Sequence, residues 1–143
     1  MPLSANAQLI ARLFNEVAKG NGQVFWEHVH DDAVWRTIGT GSWSGTFKGK
    51  DSIINDIFRP LGRKLVSRQT DVTRIIDGGE VIVVQAKGKN LTHGGIAYDN
   101  DYCFVITMRE GKIATYEEYC DTELIANVLG DRLSTWRPAE KKA

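Results

Sequence analysis

Apolar residues recur along this chain in two periods, helical in the first half and strand-like in the second. Leu9, Ile10, Leu13, Phe14 and Val17 fall three and four apart, the spacing of a buried stripe on an amphipathic helix. Ser4 supplies a cap before this stripe and Gly20 a stop after it. A shorter helical turn is predicted over 23–28, where Val24, Phe25 and Trp26 carry more apolar surface than a solvated loop needs. Residues 33–38 are rich in Val, Trp, Thr and Ile, which fit a pleated surface. Gly39, Gly41, Gly45 and Gly49 surround Trp43 and Phe47 in a turn-rich loop suited to closing over a site. A third helix is predicted from Asp51, its cap, with Ile53, Ile54, Ile57, Phe58 and Leu61 on one stripe and Pro60 weakening its end.

From Val66 onward the period changes to two. Strands are predicted over 68–76, 80–91, 96–109 and 112–119, separated by Asp77-Gly78-Gly79, His93-Gly94-Gly95 and Glu110-Gly111. Such short turns imply a mostly antiparallel meander. Leu124, Ile125, Val128 and Leu129 form a last helical stripe, starting at Asp121 or Thr122 and ending at Gly130. Helices first and a long-stranded sheet afterwards make an α+β domain, with helices laid on one face of a curved antiparallel sheet. In the strand over 96–109, Tyr98, Asn100, Tyr102, Phe104, Ile106 and Met108 suit the covered side. The alternate set from Ala97 to Arg109 is semi-polar and suits solvent or a symmetric interface, so a homodimer is expected.

The 143 residues suffice for one core and read as one domain, with the folded part at about 8–130 and a polar tail over 134–143. Eighteen basic residues balance eighteen acidic ones, so no general field draws the chain to nucleic acid or an anionic membrane. No apolar run approaches the roughly 20 residues of a membrane helix, and Met1-Pro2-Leu3-Ser4 lacks the regions of a signal peptide. Cys103 and Cys120 make no disulfide framework, which points to the cytoplasm.

Four motifs in order carry a family resemblance: Asp31-Asp32-Ala33-Val34-Trp35, Ser44-Gly45-Thr46-Phe47-Lys48-Gly49-Lys50, Tyr98-Asp99-Asn100-Asp101-Tyr102, and Gly111-Lys112-Ile113 leading to Tyr119-Cys120-Asp121. From about Gln8 to Gly130 the chain resembles the nuclear-transport-factor-2-like superfamily, and within it the SnoaL-like polyketide cyclases and ketosteroid-isomerase-related proteins. The resemblance implies a conical half-barrel, covered by its N-terminal helices, around a mostly apolar pocket for a small molecule, usually in a dimer. It puts Thr37 where steroid isomerases of this type carry their general-base Asp, and Thr takes no proton near pH 7. Ala86 and Gly88 stand where limonene-epoxide-hydrolase-like members carry an Arg and an Asp. Asp121 matches the acid/base Asp of the SnoaL-type cyclases, and is the one catalytic position retained. Its competing role is to cap the last helix.

Other candidates follow from the pattern. Tyr98, Asn100 and Tyr102 form a row two residues apart, and a buried amide at Asn100 needs a partner, either a ligand or a water. Ala86 and Gly88 leave room opposite that row. Trp35 and Thr37 share a face, and Trp35, Trp43 and Phe58 are walls for a flat apolar ligand. If the last strand is regular, Glu117 and Tyr119 share a face, and Tyr119 can hydrogen-bond a substrate oxygen. His28-Val29-His30-Asp31-Asp32 contains metal-ligand types, but it reads as a polar turn, with a histidine proton shuttle left open. The expectation is therefore an enzyme without metal or cofactor that moves protons on an apolar ketone, polyketide or terpenoid-like molecule, as an isomerase, cyclase or related lyase or hydrolase. The alternative is a non-catalytic ligand-binding or dimerising module with the same pocket.

Overall fold

The Ser4 hydroxyl accepts a hydrogen bond from the Ala7 amide at 3.2 Å and so opens α1 (Ala5–Ala18), whose inner stripe of Ala7, Ile10 and Leu13 is fully buried. This is seen in a computed structural model that describes residues 2–134; the expected polar tail lies outside the described residues apart from Ser134. Gly20, at φ +90°, turns the chain into α2 (Gly22–Glu27). β1 (Val29–Thr37) begins earlier than expected, so 29–32 is the start of a strand and His28 alone is the turn. The glycine-rich stretch after it ends in β2 (Gly45–Lys48), which pairs antiparallel with β1.

The third helix runs past Pro60. It consists of α3 (Lys50–Ile53), a π-helical turn (Ile54–Phe58) and α4 (Arg59–Lys64), with Gly49 rather than Asp51 at the cap. Pro60 has no N–H to offer the Asp56 carbonyl one turn back. Arg132 donates to that carbonyl instead, at 2.6 Å. Beyond α4 come β3 (Leu65–Ser67), β4 (Thr70–Asp77), β5 (Val81–Gly88), β6 (Leu91–Thr92), β7 (Asp101–Arg109), β8 (Lys112–Tyr119) and α5 (Thr122–Leu129). The strand expected over 96–109 starts only at Asp101. Tyr98 is nevertheless held in an extended segment, exchanging hydrogen bonds with the Asn90 backbone and side chain at 2.9 and 2.8 Å.

Six strands form one curved sheet in the order β2-β1-β8-β7-β5-β4, and β3 pairs with β6 beside it. Neighbours are antiparallel with one exception, β1 against β8, which run parallel. α1 packs on β4 and β5, and α3 on β1, so the helices cover one face. On β7 the alternation is regular: Phe104, Ile106 and Met108 are buried, while Cys103, Val105 and Thr107 are half-buried on the outer face. β8 behaves differently. Met108 pairs with Ile113 but Thr107 pairs with Thr115, so Ala114 is a bulge. Inward positions change parity there, from Ile113 to Tyr116 and Glu118.

The end of the chain clasps this arrangement. Arg132 donates from its backbone to Ser42 Oγ at 2.6 Å and from Nε to the Ser42 carbonyl at 2.9 Å, and its guanidinium lies 5.3 Å from the Phe47 ring. Trp43 Nε1 donates to the Gly130 carbonyl at 2.9 Å. No helix among the described residues is long and apolar enough to cross a membrane. Because Arg132 serves the carbonyl that Pro60 leaves without its usual partner, Arg132→Ala is expected to cost about 1–2 kcal/mol in urea unfolding. Arg132→Lys, which cannot fork across two carbonyls, recovers less than half of that. A loss below about 0.5 kcal/mol for the alanine variant, the level of an ordinary surface change, counts against the clasp.

Candidate functional site

Between the concave sheet face and the helices lies a cavity of about 500 Å³, within the range of small-molecule sites. Its wall is a run of aromatic rings in contact. Trp35 stacks on Tyr116 with centroids 3.9 Å apart and planes 7° from parallel. Phe58 meets Trp35 edge-on at 5.0 Å, and Trp26 meets Phe58 at 4.9 Å. On the other side, Phe104 contacts Tyr116 at 5.0 Å and Tyr102 stacks on Phe104, also at 5.0 Å. These rings offer flat faces at contact distance, a surface suited to a planar conjugated molecule.

Among the described residues one carboxyl lines this cavity, and it belongs to Glu118. The bulge at Ala114 turns it inward, and the parallel register places it directly beside Thr37 on β1. The Thr37 hydroxyl donates to Glu118 Oε2 at 3.2 Å, and Trp35 Nε1 donates to the Thr37 hydroxyl at 3.2 Å. Burial pushes the Glu118 carboxyl up to about 7, with the Thr37 hydrogen bond opposing the rise. Burial also raises the phenols of Tyr98 and Tyr102 above their usual range, although the Asn100 hydrogen bond opposes this at Tyr98. Both therefore stay neutral near pH 7, and a hydrogen bond links the two hydroxyls. The Cys120 thiol, pushed up to about 12 by burial, is not a thiolate at that pH.

The structure brings six of the expected site residues to this cavity: Trp35, Thr37, Trp43, Phe58, Tyr98 and Tyr102 all line it. Others lie elsewhere. Asp121 is exposed, and its Oδ1 accepts from the Leu124 amide at 3.1 Å, as the N-cap of α5. Asn100 is wholly buried but touches no cavity surface. It donates to Tyr98 Oη and to the Asp121 carbonyl, both at 3.0 Å, and accepts from the Asp121 amide at 2.9 Å. The buried amide is thus satisfied by the protein, and it joins the start of β7 to the start of α5. Ala86 belongs to the packed core. The room expected at Gly88 is filled, since a Cβ there would stand 2.9 Å from both Asn90 Nδ2 and Tyr102 Cε2. Tyr119 points outward, with its hydroxyl donating to Glu117 at 3.3 Å and accepting from Arg36 at 3.4 Å.

The histidine segment is committed to the scaffold. His28 Nδ1 lies 2.8 Å from the Val24 carbonyl, His30 Nε2 lies 2.6 Å from the Arg109 carbonyl, and Asp32 pairs with Arg109 at 2.7 Å. No cluster of three His, Cys, Asp or Glu side chains placed to hold a metal occurs among the described residues.

A curved six-stranded sheet with helices on its concave side and a cavity between them is also the arrangement of a known family, and the family model for the SnoaL-like domain matches residues 10–116. This chain belongs to the SnoaL-like domain family. Solved structures agree on the fold. An NTF2-like protein of unknown function from Burkholderia pseudomallei superposes with a TM-score of 0.79 at 18% identity, covering 89% of this chain and 98% of its own. TerC, co-crystallised with polyporic acid, gives 0.76 at 20% identity, covering 88% and 98%. A candidate SnoaL-like polyketide cyclase from a Jannaschia species gives 0.74 at 17%, covering 91% and 95%. No curated protein matches the sequence.

In this SnoaL-like domain the residue that sequence reasoning missed is Glu118. Its only signal is a spacing of two from Tyr116, an aromatic residue in the same strand. Because its folded proton affinity exceeds the ordinary carboxyl value of 4.5, the folded state holds a proton between pH 4.5 and about 7 that the unfolded chain has released. Stability should therefore fall as pH rises through that window. Glu118→Gln is expected to match wild type near pH 4 and to exceed it at pH 8. The gain should be about 1–2 kcal/mol, less than a fully buried shift implies, because the group borders an open cavity. Melting curves at the two pH values test this, and equal pH dependence in both proteins contradicts the assignment.

Proposed function

We propose that this protein is an acid/base enzyme of the SnoaL-like type, acting on a flat conjugated ketone or polyketide, with Glu118 as the proton-transfer group. The observation that carries this reading is a carboxyl, poised near neutrality, facing a cavity walled by stacked aromatic rings. A base works best when its proton affinity lies near the working pH. In the ionised form Glu118 removes a proton from a carbon alpha to a carbonyl, and the pair of electrons from that C–H bond passes to the carbonyl oxygen. Tyr98 donates its O–H to the resulting enolate oxygen, while its own oxygen is held by Asn100. The proton on Glu118 then returns to a different carbon, completing an isomerisation, or to an alkoxide formed when the enolate carbon attacks a second carbonyl, completing a ring closure. TerC, crystallised with polyporic acid, and the candidate polyketide cyclase are in keeping with a small conjugated ligand in such a cavity.

This reading moves the acid/base role from Asp121 to Glu118. It also explains Thr37: the position that carries a base in related isomerases here hydrogen-bonds a base on the adjacent strand. The second reading, a binding module without turnover, draws on the absence of acids at Thr37, Ala86 and Gly88.

Deuterium exchange of 2-tetralone in heavy water, followed by NMR, separates the two. Wild type should accelerate exchange with a rate that rises with pH through an apparent pKa of about 7. Glu118→Gln should lose about 10²–10⁴-fold. Asp121→Asn, which keeps a side chain competent to cap α5, should exchange at the wild-type rate. Equal rates in wild type and Glu118→Gln, or a comparable loss in Asp121→Asn, remove Glu118 from the role.

A further inference from the structure

The lining residues that are exposed at the surface come from two segments. Val17, Ala18 and Gly20 lie around the end of α1, and Arg68 and Gln69 lie between β3 and β4. The mouth of the cavity therefore opens between these segments. Glu118 lies on β8, three strands across the sheet from β4, a separation of about 14 Å at ordinary strand spacing. The cavity thus has a carboxyl inside and a guanidinium at its rim.

Among the described residues Arg68 is the only Lys or Arg that lines the cavity, and no hydrogen bond or ion pair among them engages it. The acids near the mouth have partners already. Asp71 accepts from Gln69 Nε2 at 2.8 and 3.1 Å, Glu16 accepts from Asn21 at 2.8 Å and faces Lys19, and Asp99 accepts from the Asn90 amide at 3.1 Å. A guanidinium left over at the rim of an aromatic cavity is a fork-shaped donor matched to a planar anion.

We propose that Arg68 selects a substrate that carries an anionic group, a carboxylate or ionised enol, at the end remote from the carbon whose proton Glu118 moves. The proposal rests on the reading of Glu118 given above and narrows the substrate class to flat conjugated organic acids. Electrostatics then fixes orientation. An anion pushed to the deep end would meet the Glu118 carboxylate and hinder its ionisation, whereas the same anion at the rim meets Arg68 in a partly solvated setting. One placement is favoured and the reverse is disfavoured, which leaves the reacting carbon at the base.

Three tryptophans, Trp26, Trp35 and Trp43, line the cavity, so ligand binding can be read from fluorescence quenching. The probes are 2-naphthoate and its neutral analogue 2-acetylnaphthalene. Wild type should bind naphthoate about tenfold or more tighter, the scale of one charge-assisted hydrogen-bonded contact, and added salt should narrow the difference. Arg68→Gln should bring the two affinities within about twofold of each other, with Arg68→Lys intermediate and both variants melting as wild type does. Glu118→Gln should keep the preference for the anion. Equal affinities in wild type, or a preference that survives Arg68→Gln, overturns the proposal. The 2-tetralone exchange uses a neutral ketone and reports on Glu118 alone, so failure of the acid/base reading shows there and not in the naphthoate ratio.

Discussion

β1 lies parallel against β8, and this pairing joins positions 81 residues apart at Thr37 and Glu118. The local hairpins β4–β5 and β7–β8 form from neighbours in sequence, but the β1–β8 contact must wait until most of the chain is in place. Much else hangs on it. It draws β1 and β2 onto the edge of the meander, seats α3 over β1, and stacks Trp35 on Tyr116, since those two residues are register partners on the paired strands. The same register sets a hydroxyl beside the one carboxyl that faces the cavity. A slip of one residue would turn Glu118 to the outer face and Glu117 inward, because side chains alternate along a strand.

Two acids near the end of β8 show how position decides chemistry. Asp121 is exposed, accepts an amide at the start of α5, and has its own backbone held by two hydrogen bonds from the Asn100 side chain. Glu118, three residues earlier, has aromatic rings around it and one hydroxyl donor. Asp121 is used as a structural cap, whereas burial opposes charge at Glu118, which suits a group that exchanges protons near neutrality. The Asn100 network links the two, because the amide that fixes the α5 junction also fixes the oxygen of Tyr98 at the cavity.

Helical stripes with cap residues were legible in the sequence: α1 and α5 stand where Ser4, Gly20, Asp121 and Gly130 put them. The alternation of β7 was legible as well, and with it the inward placement of Tyr102 and Phe104. What was hidden depends on non-local choices. The bulge at Ala114 leaves no mark in composition, yet it reverses which of Glu117 and Glu118 faces inward. The helix runs through Pro60 because Arg132, from the far end of the chain, serves the carbonyl that a helical N–H would have met. Gly88 and Asn100 read as room and ligand contact because the sequence does not show that a Tyr102 ring and a helix cap already occupy them.

The size of the cavity itself limits how this fold can be stable. An empty apolar void of about 500 Å³ would cost about 12 kcal/mol at roughly 24 cal/mol per Å³, which is comparable with the whole stability of a typical domain. The cavity must therefore be filled by solvent or ligand, and the polar rim residues Arg68 and Gln69 give water a place to begin. That solvent has two effects on the chemistry. It gives protons a path to and from the Glu118 carboxyl, which burial raises to about 7. It also gives a planar ligand a driving force, since each apolar Å² of ring face freed from water returns about 25 cal/mol. The same open aromatic surface that makes the empty fold expensive is thus what draws a conjugated molecule in against the carboxyl.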